Sequence, residues 1–154
     1  MDFHYNYLGK ELYDNQEDIV AYPKRYYDKD NKLKWSPDKR GFDHKYIFES
    51  GKYTTKIILP KGKRLVRYGR KSGHLLADYG VDYRLLGLPY KKSSREYHEY
   101  VLLDDIEFEE VGYIEACFDS PGGVLQYFIS EDIGALLDDN KIKEDDTWLK
   151  KKKK

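Results

Sequence analysis

The sequence predicts an α+β fold: a single compact domain built on a mainly antiparallel, strongly bent β-sheet with short flanking helices. The chain has 154 residues, of which 40% are hydrophobic and 36% charged, as expected of one globular domain that buries its own core. Several short segments rich in β-branched and aromatic residues are separated by glycine, proline and aspartate. Sixteen tyrosines favour strands and provide polar groups for a cleft.

The predicted strands lie in the middle and towards the end of the chain. The first two, YTTKIIL and KRLVRYG, are separated by a short loop, which predicts that they pair antiparallel. The next segment, HLLADYGVDYRLLGLPY, is punctuated by glycine and proline and predicts irregular structure. Three more strands are predicted in YHEYVLL, GYIEACF and GVLQYFI, the last after Pro121 and Gly122, which suit the central positions of a type II turn.

The remaining segments predict helix and irregular chain. A short helix is expected in SEDIGALLDD, with Ser130 as its N-cap and with Ile133, Leu136 and Leu137 on one face. We expect residues 1–34 to form a helical or irregular extension, with one short helix in LGKELYDNQEDIVAY. Residues 35–149 would then form the main domain, and residues 150–154 a basic tail.

Composition argues against several classes of protein. Cys117 is the sole cysteine, and the four histidines are far apart in sequence, so neither a disulfide framework nor a metal site is predicted. No apolar run is long enough for a membrane span, and the N-terminus lacks the pattern of a Sec signal peptide. The formal net charge of +0 shows no overall bias towards nucleic acid.

Basic residues are nevertheless concentrated in one segment. Residues 51–77 contain eight lysines and arginines and no acidic residue. This segment could be a solvated surface that complements an acidic neighbour, or a basic lip for a phosphate-bearing ligand.

Three polar residues occupy apolar positions of the predicted strands. Gln126 alternates with Val124 and Phe128. Arg67 lies on the same side as an apolar neighbour two residues away, and so does His98. Each residue alone is compatible with a structural role. Together they predict convergence on one cleft floor.

Several motifs occur in an ordered series that resembles a known family. The segments LPKGKRLVRYGRKSGHLLADYG, LLGLPY, YHEYVLLDD and GYIEACFDSPGGVLQYF are similar, in order and spacing, to the tuberculosis necrotizing toxin family of NAD glycohydrolases. The upstream segment WSPDKRGF extends the resemblance, which runs from Trp35 to Ile129.

The resemblance implies a set of site residues. The essential arginine of the family's R-Y-G motif corresponds to Arg67, the histidine of its P-Y-H motif to His98, and its essential glutamine, which follows a double glycine, to Gln126. These three are the predicted catalytic residues. Arg67 is also a predicted substrate-binding residue, together with Phe42, Tyr68, Arg64, Leu75 and Arg84.

Three positions depart from the family pattern. Leu75 replaces an aromatic residue, so one wall of the expected nicotinamide or ribose pocket differs. Glu96 stands where proline is frequent, and Val66 replaces a carboxylate.

The chemistry implied by the resemblance suits these side chains. Nicotinamide leaves NAD+ as a neutral molecule, so the enzyme must stabilise an oxocarbenium-like ribose and place a water. Arg67 can hold the pyrophosphate, Gln126 can bind ribose hydroxyls or the water, and His98 can orient the ribose or act as a base. We therefore expect hydrolysis of NAD+ and NADP+ to nicotinamide and an ADP-ribose, which makes both dinucleotides substrates. No cofactor is expected.

The resemblance also implies partners and a place of action. An immunity protein that blocks the site is expected, whereas no nucleic-acid partner is. Delivery would use a specialised secretion route, and the toxin would act in the target-cell cytosol. The open alternatives are an RNA-cleaving toxin nuclease, an ADP-ribosyltransferase and a catalytically decayed nucleotide-binding module, the last favoured by Leu75.

Overall fold

The computed structural model describes most of the chain after residue 53 and short pieces before it. The described residues are 3–5, 11–13, 28–30, 32, 42, 54–88, 96–115, 117, 120 and 122–147. The strands are β1 (Phe3–Tyr5), β2 (Glu11–Tyr13), β3 (Thr55–Leu59), β4 (Arg64–Tyr68), β5 (Leu75–Asp78), β6 (Tyr97–Leu102), β7 (Ile106–Tyr113), β8 (Leu125–Phe128) and β9 (Ile142–Glu144). The helix α1 spans Ile133–Asp138, and a 3-10 turn spans Tyr83–Leu85.

The strands form one large sheet and a separate hairpin. The large sheet has the order β3-β7-β8-β5-β4-β6-β9, and every neighbouring pair is antiparallel. The hairpin pairs β1 with β2. The predicted antiparallel sheet is therefore confirmed. Helices are sparser than expected, because α1 is the one α-helix in the described part of the chain.

The connections require the large sheet to bend strongly. Strands β6 and β7 stand four positions apart in the sheet order. In a flat sheet that separation is about 19 Å, at about 4.8 Å per strand. The link from Leu102 to Ile106 has four Cα steps and spans at most about 15 Å. The sheet must therefore curl to bring these strand ends together.

The first two predicted strands do not pair with each other. Strand β3 pairs with β7, whereas β4 pairs with β5 and β6. The reason is the short link between β6 and β7, at which the sheet bends. Strand β4 pairs with β6 before this bend, and β3 pairs with β7 after it. The backbone NH of Gly62 donates to the carbonyl of Leu102 (2.8 Å). This hydrogen bond connects the β3–β4 link to the end of β6, where the β6–β7 link begins. The predicted pairing is wrong, although both strands exist.

Three further expectations about strands need correction. The strand predicted in GYIEACF begins earlier, at Ile106, and ends at Tyr113. Part of the segment expected to be irregular forms β5, and β9 was not predicted. Residues Glu11–Tyr13 are strand, where part of a helix was expected, and the rest of that segment lies outside the described residues.

Helix α1 confirms the predicted helix but not its cap. The N-cap is Asp132, whose side chain accepts from the backbone NH of Ala135 at 2.7 Å, and not Ser130. The hydroxyl of Ser130 instead donates to Glu109 at 2.5 Å. Ile133 is fully buried under the sheet.

A glycine shapes the approach to β8. Gly122 has φ +63°, as the third residue of a type II turn requires. A Cβ there would lie 2.3 Å from the carbonyl oxygen of Ile114, so only glycine fits this close approach. Pro121 lies outside the described residues.

Candidate active site

The register of the sheet decides which side chains share a side. Gln126 lies opposite Ala77, Ala77 opposite Val66, and Val66 opposite Glu99. Directly paired residues point to the same side of a sheet, so these four share one, which we call the Gln126 side.

The other side carries two of the predicted catalytic residues. Arg67 pairs with His98, and Leu65 pairs with Tyr100. These residues alternate with the previous set, so they lie on the opposite side, which we call the core side. Its buried apolar residues form the main hydrophobic cluster, which includes Leu65, Leu76, Tyr100, Leu102, Tyr127, Ile133 and Leu136.

A cavity of about 420 Å³ opens next to Gln126. This volume lies within the range of small-molecule sites, roughly 300 to 1,000 Å³. The walls are mainly apolar, as is usual for a site in which a few polar groups orient the ligand. Its lining residues are Val66, Arg67, Tyr68, Leu75, Leu76, Ala77, Leu86, Leu88, Ile114 and Gln126.

Gln126 is buried between the two smallest cross-strand neighbours available. Its exposed fraction is 6%, and it pairs with Ala77 on one side and Gly112 on the other. Short neighbours on both flanking strands leave space beside the amide. This arrangement explains how a buried glutamine can border a cavity instead of close-packed side chains.

Arg67 lies against the turn between β4 and β5. Its Nε donates to the carbonyl of Arg70 at 2.7 Å, and its Nη1 donates to the carbonyl of Leu75 at 2.9 Å. Gly73 makes room for it, since a Cβ at Gly73 would lie 1.9 Å from Nη2. The guanidinium therefore fastens this turn while it borders the cavity.

His98 lies between two carboxylates. Its Nε2 is 3.1 Å from Glu96 Oε2, and its Nδ1 contacts Glu144. Lys71 Nζ is 2.9 Å from the same Glu144 carboxylate. Burial raises the pKa of Glu144, but hydrogen bonds from Lys71 and His98 outweigh it and hold the pKa below its usual value. His98 thus links β6 to β9 and to the β4–β5 turn.

The single cleft floor expected for Arg67, His98 and Gln126 is not formed. Arg67 and Gln126 border the same cavity, but their side chains start from opposite sides of the sheet. His98 is not among the residues that line the cavity. The alternation of β4 and β6 is the physical reason for this separation.

Tyr68 forms the aromatic wall of the cavity, and two further tyrosine rings pack against it. The ring of Tyr68, a lining residue, is 4.9 Å from that of Tyr83 and 4.8 Å from that of Tyr97. The Tyr97 hydroxyl donates to Glu99 Oε2 at 2.6 Å. Leu75 also lines the cavity, so an aliphatic side chain lies where the family resemblance implies an aromatic one.

Sequence reasoning missed Glu99. This carboxylate is only 5% exposed and lies on the Gln126 side. The signal was present in YHEYVLL, where Glu99 alternates with Tyr97 and Val101, on a strand that is apolar on both sides.

The other predicted arginines are engaged with acidic partners. Arg64 lies on the Gln126 side, where its Nη2 is 2.7 Å from Asp145 Oδ2 and its guanidinium carbon is 4.3 Å from the ring centroid of Tyr79. Arg84 in the 3-10 turn bonds Asp82, with Nη2 2.7 Å from Oδ2. Neither arginine is among the lining residues of the cavity.

Phe42 lies behind one of the cavity walls. It is fully buried and pairs with Ile114, which lines the cavity. Phe42 therefore lies next to a lining residue without being among the lining residues itself.

Two other kinds of site are absent from the described part of the chain. No group of three or more histidine, cysteine, aspartate or glutamate residues there could hold a metal ion. Within the same residues, no helix is long and apolar enough to cross a membrane.

Comparison with known families now decides the relationship. The family model described as tuberculosis necrotizing toxin matches residues 58–144, which is more than half of the chain. The chain belongs to the tuberculosis necrotizing toxin family. The matched range includes the cavity and most of the predicted site, from β3 to β9. A search of curated proteins found no match.

Solved structures support the fold. The structure of tuberculosis necrotizing toxin complexed with its immunity factor matches with a TM-score of 0.56 and 16% identity, covering 92% of this chain and 75% of that chain. At that identity the likeness concerns the fold alone. The structure of Tse6 in complex with Tsi6 has a TM-score of 0.47 and 17% identity, covering 68% of this chain and 76% of that chain, which is too distant to carry an argument.

Proposed function

We propose that this member of the family is an NAD(P)+ glycohydrolase toxin domain. It hydrolyses the bond between nicotinamide and ribose and thereby depletes the NAD of a target cell. The observation that carries the proposal is the cavity of about 420 Å³, because four residues implied by the family resemblance border it: Gln126, Arg67, Tyr68 and Leu75.

The reaction requires little acid catalysis. Water forms the new bond to the anomeric carbon, nicotinamide leaves with the electrons of the old bond, and the proton of the water is released. Gln126 offers an amide that can donate and accept at once, to a ribose hydroxyl or to the water. Apolar walls such as Ala77 and Leu88 exclude other water, which strengthens each polar contact inside the cavity.

Arg67 and His98 have different parts in this proposal. Arg67 borders the cavity and presents its positive charge towards the pyrophosphate. His98 acts as a positioning residue, because its contacts with Glu96 and Glu144 fix β6 next to β4. The phosphates would reach the protein near the basic β4–β5 turn, which contains Arg70 and Lys71.

A cognate immunity protein and a delivery route belong to the same proposal. The similar toxin of solved structure is complexed with its immunity factor. We infer that an inhibitor of this chain covers the mouth of the cavity. Delivery by a specialised secretion system would bring the domain to the cytosol of the target cell, where NAD is abundant.

The test uses purified protein with NAD+ and follows free nicotinamide and free ADP-ribose. Equal amounts of the two products are expected. Release of nicotinamide with ADP-ribose bound to protein would instead assign a transferase, and cleavage of added RNA without nicotinamide would assign a nuclease.

A second test of the same proposal uses bacterial cells. Expression of the whole chain in bacteria without an inhibitor should arrest growth and drain NAD. Normal growth with undiminished NAD, in cells that contain the folded protein, would contradict the proposal.

A further inference from the structure

A buried carboxylate lies behind the aromatic wall of the cavity. Glu99 is 5% exposed and pairs with Val66, which lines the cavity. Its Oε2 accepts from the hydroxyl of Tyr97 at 2.6 Å, and the Tyr97 ring lies 4.8 Å from that of Tyr68. A negative group is therefore in contact, through one tyrosine, with a residue that lines the cavity.

The charge of Glu99 is only partly compensated. Arg64 Nη2 lies 3.7 Å from Glu99 Oε1, beyond hydrogen-bonding distance, but 2.7 Å from Asp145 Oδ2. The Arg64 guanidinium therefore interacts with the carboxylates of both Glu99 and Asp145, and it lies closer to that of Asp145. The nearby Lys143 is exposed and acts on Asp145. A negative electrostatic potential therefore remains around the Glu99 carboxylate.

We propose that Glu99, through Tyr97 and Tyr68, makes the cavity selective for a cationic ring. The inference rests on the proposed function and specifies its substrate: the positively charged pyridinium of oxidised NAD+ is preferred to the neutral ring of NADH. An aromatic face attracts a cation, and a carboxylate behind that face adds to the attraction where water is excluded.

This selectivity also favours product release. The ring is cationic in the substrate and neutral in free nicotinamide, so its attraction to the wall falls when the bond breaks. The positive charge that develops on the ribose remains close to the same carboxylate. Glu99 would therefore bind the substrate and the transition state without retaining the product.

Two small probes isolate the charge of the ring. The 1-methylnicotinamide cation and neutral nicotinamide have nearly the same shape, and their binding to the whole protein can be measured by NMR titration. We expect the cation to bind about tenfold more tightly, because a charge that is shielded from water is incompletely screened. NADH should likewise be a poor competitor of NAD+ hydrolysis.

Substitutions assign the preference to one residue. Glu99→Gln removes the charge but keeps an oxygen that can accept from Tyr97, and the preference should fall to about twofold or less. The matched control is Glu107→Gln, since Glu107 is exposed on β7. The control should keep the preference of the parent protein.

Arg64→Gln gives a prediction of opposite sign. Removing the guanidinium leaves Glu99 less compensated, so the preference for the cation should increase. This variant decides the matter if Glu99→Gln does not fold. An unchanged preference in Arg64→Gln would then overturn the inference.

The outcomes separate this inference from the proposed function. Equal binding of both probes to the parent protein, together with NAD+ hydrolysis, would overturn the role of Glu99 and leave the glycohydrolase proposal intact. Absence of nicotinamide release from NAD+ would overturn the proposed function itself, and this inference with it.

Discussion

Polar side chains have different surroundings on the two sides of the sheet. On the Gln126 side, Gln126 is flanked by Ala77 and Gly112 and borders a cavity. On the core side, Arg67 is bonded to backbone carbonyls, and His98 is bonded to two carboxylates.

This difference shows how to interpret a polar residue in a buried strand. Burial and alternation alone do not separate a structural role from a functional one. The size of the cross-strand neighbours does: alanine and glycine beside Gln126 leave room for a ligand, whereas Arg67 and His98 on the core side are opposite each other and adjoin a filled cluster. We therefore expect substitutions on the Gln126 side to affect turnover, and those on the core side to affect stability first, with the exception of Arg67, which starts on the core side but also borders the cavity.

The largest effect is expected for Gln126→Ala. If Gln126 contacts the ribose or the water in the transition state, turnover should fall at least about a hundredfold, or roughly 2.7 kcal/mol, with the fold nearly intact. The matched control is the adjacent Tyr127→Phe, which removes a hydroxyl that donates to Asp78 at 2.8 Å on the core side. The control should lose about 1 kcal/mol of stability and keep its turnover.

Thermal unfolding and nicotinamide release on the same preparations make this comparison. A Gln126→Ala protein that is destabilised but retains the parent rate per folded molecule would assign Gln126 a structural role. The contrast between the two sides would then be lost.

The next effect tests whether the position of Arg67 matters. In Gly73→Ala, the new methyl group would overlap the guanidinium and displace it. A displacement of this size should lower kcat/KM about tenfold or more. In Arg67→Ala we expect the same loss with a larger rise in KM, because pyrophosphate is bound in the ground state too.

A second glycine provides the control. A Cβ at Gly134, within α1, would lie 3.3 Å from the Asp132 side chain and would not approach the Arg67 guanidinium. Gly134→Ala should therefore keep full activity. Unchanged kcat/KM in Gly73→Ala would show that the reaction does not depend on the present position of Arg67.

A smaller effect is expected when the substrate changes from NAD+ to NADP+. The described lining of the cavity contains no acidic residue that would repel a 2′-phosphate. The two specificity constants should therefore agree within about tenfold, or roughly 1.4 kcal/mol. A thousandfold preference for either dinucleotide would indicate a selective contact outside this lining.

The smallest effect concerns Glu144 on the core side. Its pKa is lower in the folded protein than in the unfolded chain, so its contribution to stability is complete at neutral pH and is lost as the pH falls below about 4.3. Glu144→Gln should cost about 1 kcal/mol or less at pH 7, as is usual for partly exposed ion pairs. Denaturant unfolding of both proteins should show this difference shrinking towards pH 3. A constant difference would contradict the ion-pair account.

The sequence pattern predicted those strands and helices whose own residues provide most of the buried apolar surface. Strands β4, β6 and β8 are rich in apolar and aromatic residues, and α1 has a buried face formed by Ile133 and Leu136. Strand β9 contains a single buried residue, Ile142, and exists because it pairs with β6. Nothing local distinguishes such a segment from a loop.

The pairing of strands depended on contacts distant in sequence. The proximity of β3 and β4 along the chain predicted a hairpin, yet the bend between β6 and β7 offers each of them a better partner. Strand β5 was interpreted as irregular because glycines flank a short apolar run that is covered on both sides. Tertiary pairing overrode local propensity in both cases.

The sequence indicated several of the residues that line the cavity, but only part of their spatial arrangement. The family resemblance supplied Gln126, Tyr68 and Leu75, all of which border the cavity. Alternation could already have separated Arg67 from Gln126, but only with the register of β4, β5 and β8, which the sequence does not contain. Glu99 was missed because a glutamate in a strand usually faces water.

The most direct test of the account is to locate the bound substrate by methyl NMR. A carbocyclic analogue of NAD+ that cannot form the oxocarbenium ion would be titrated into the whole protein. The account predicts shifts at methyl groups of the Gln126 side, such as Val66, Ala77 and Ile114, with little change at Leu65, Leu102 and Ile142 in the hydrophobic core. Shifts concentrated in the second set would place the substrate on the core side and contradict the central claim.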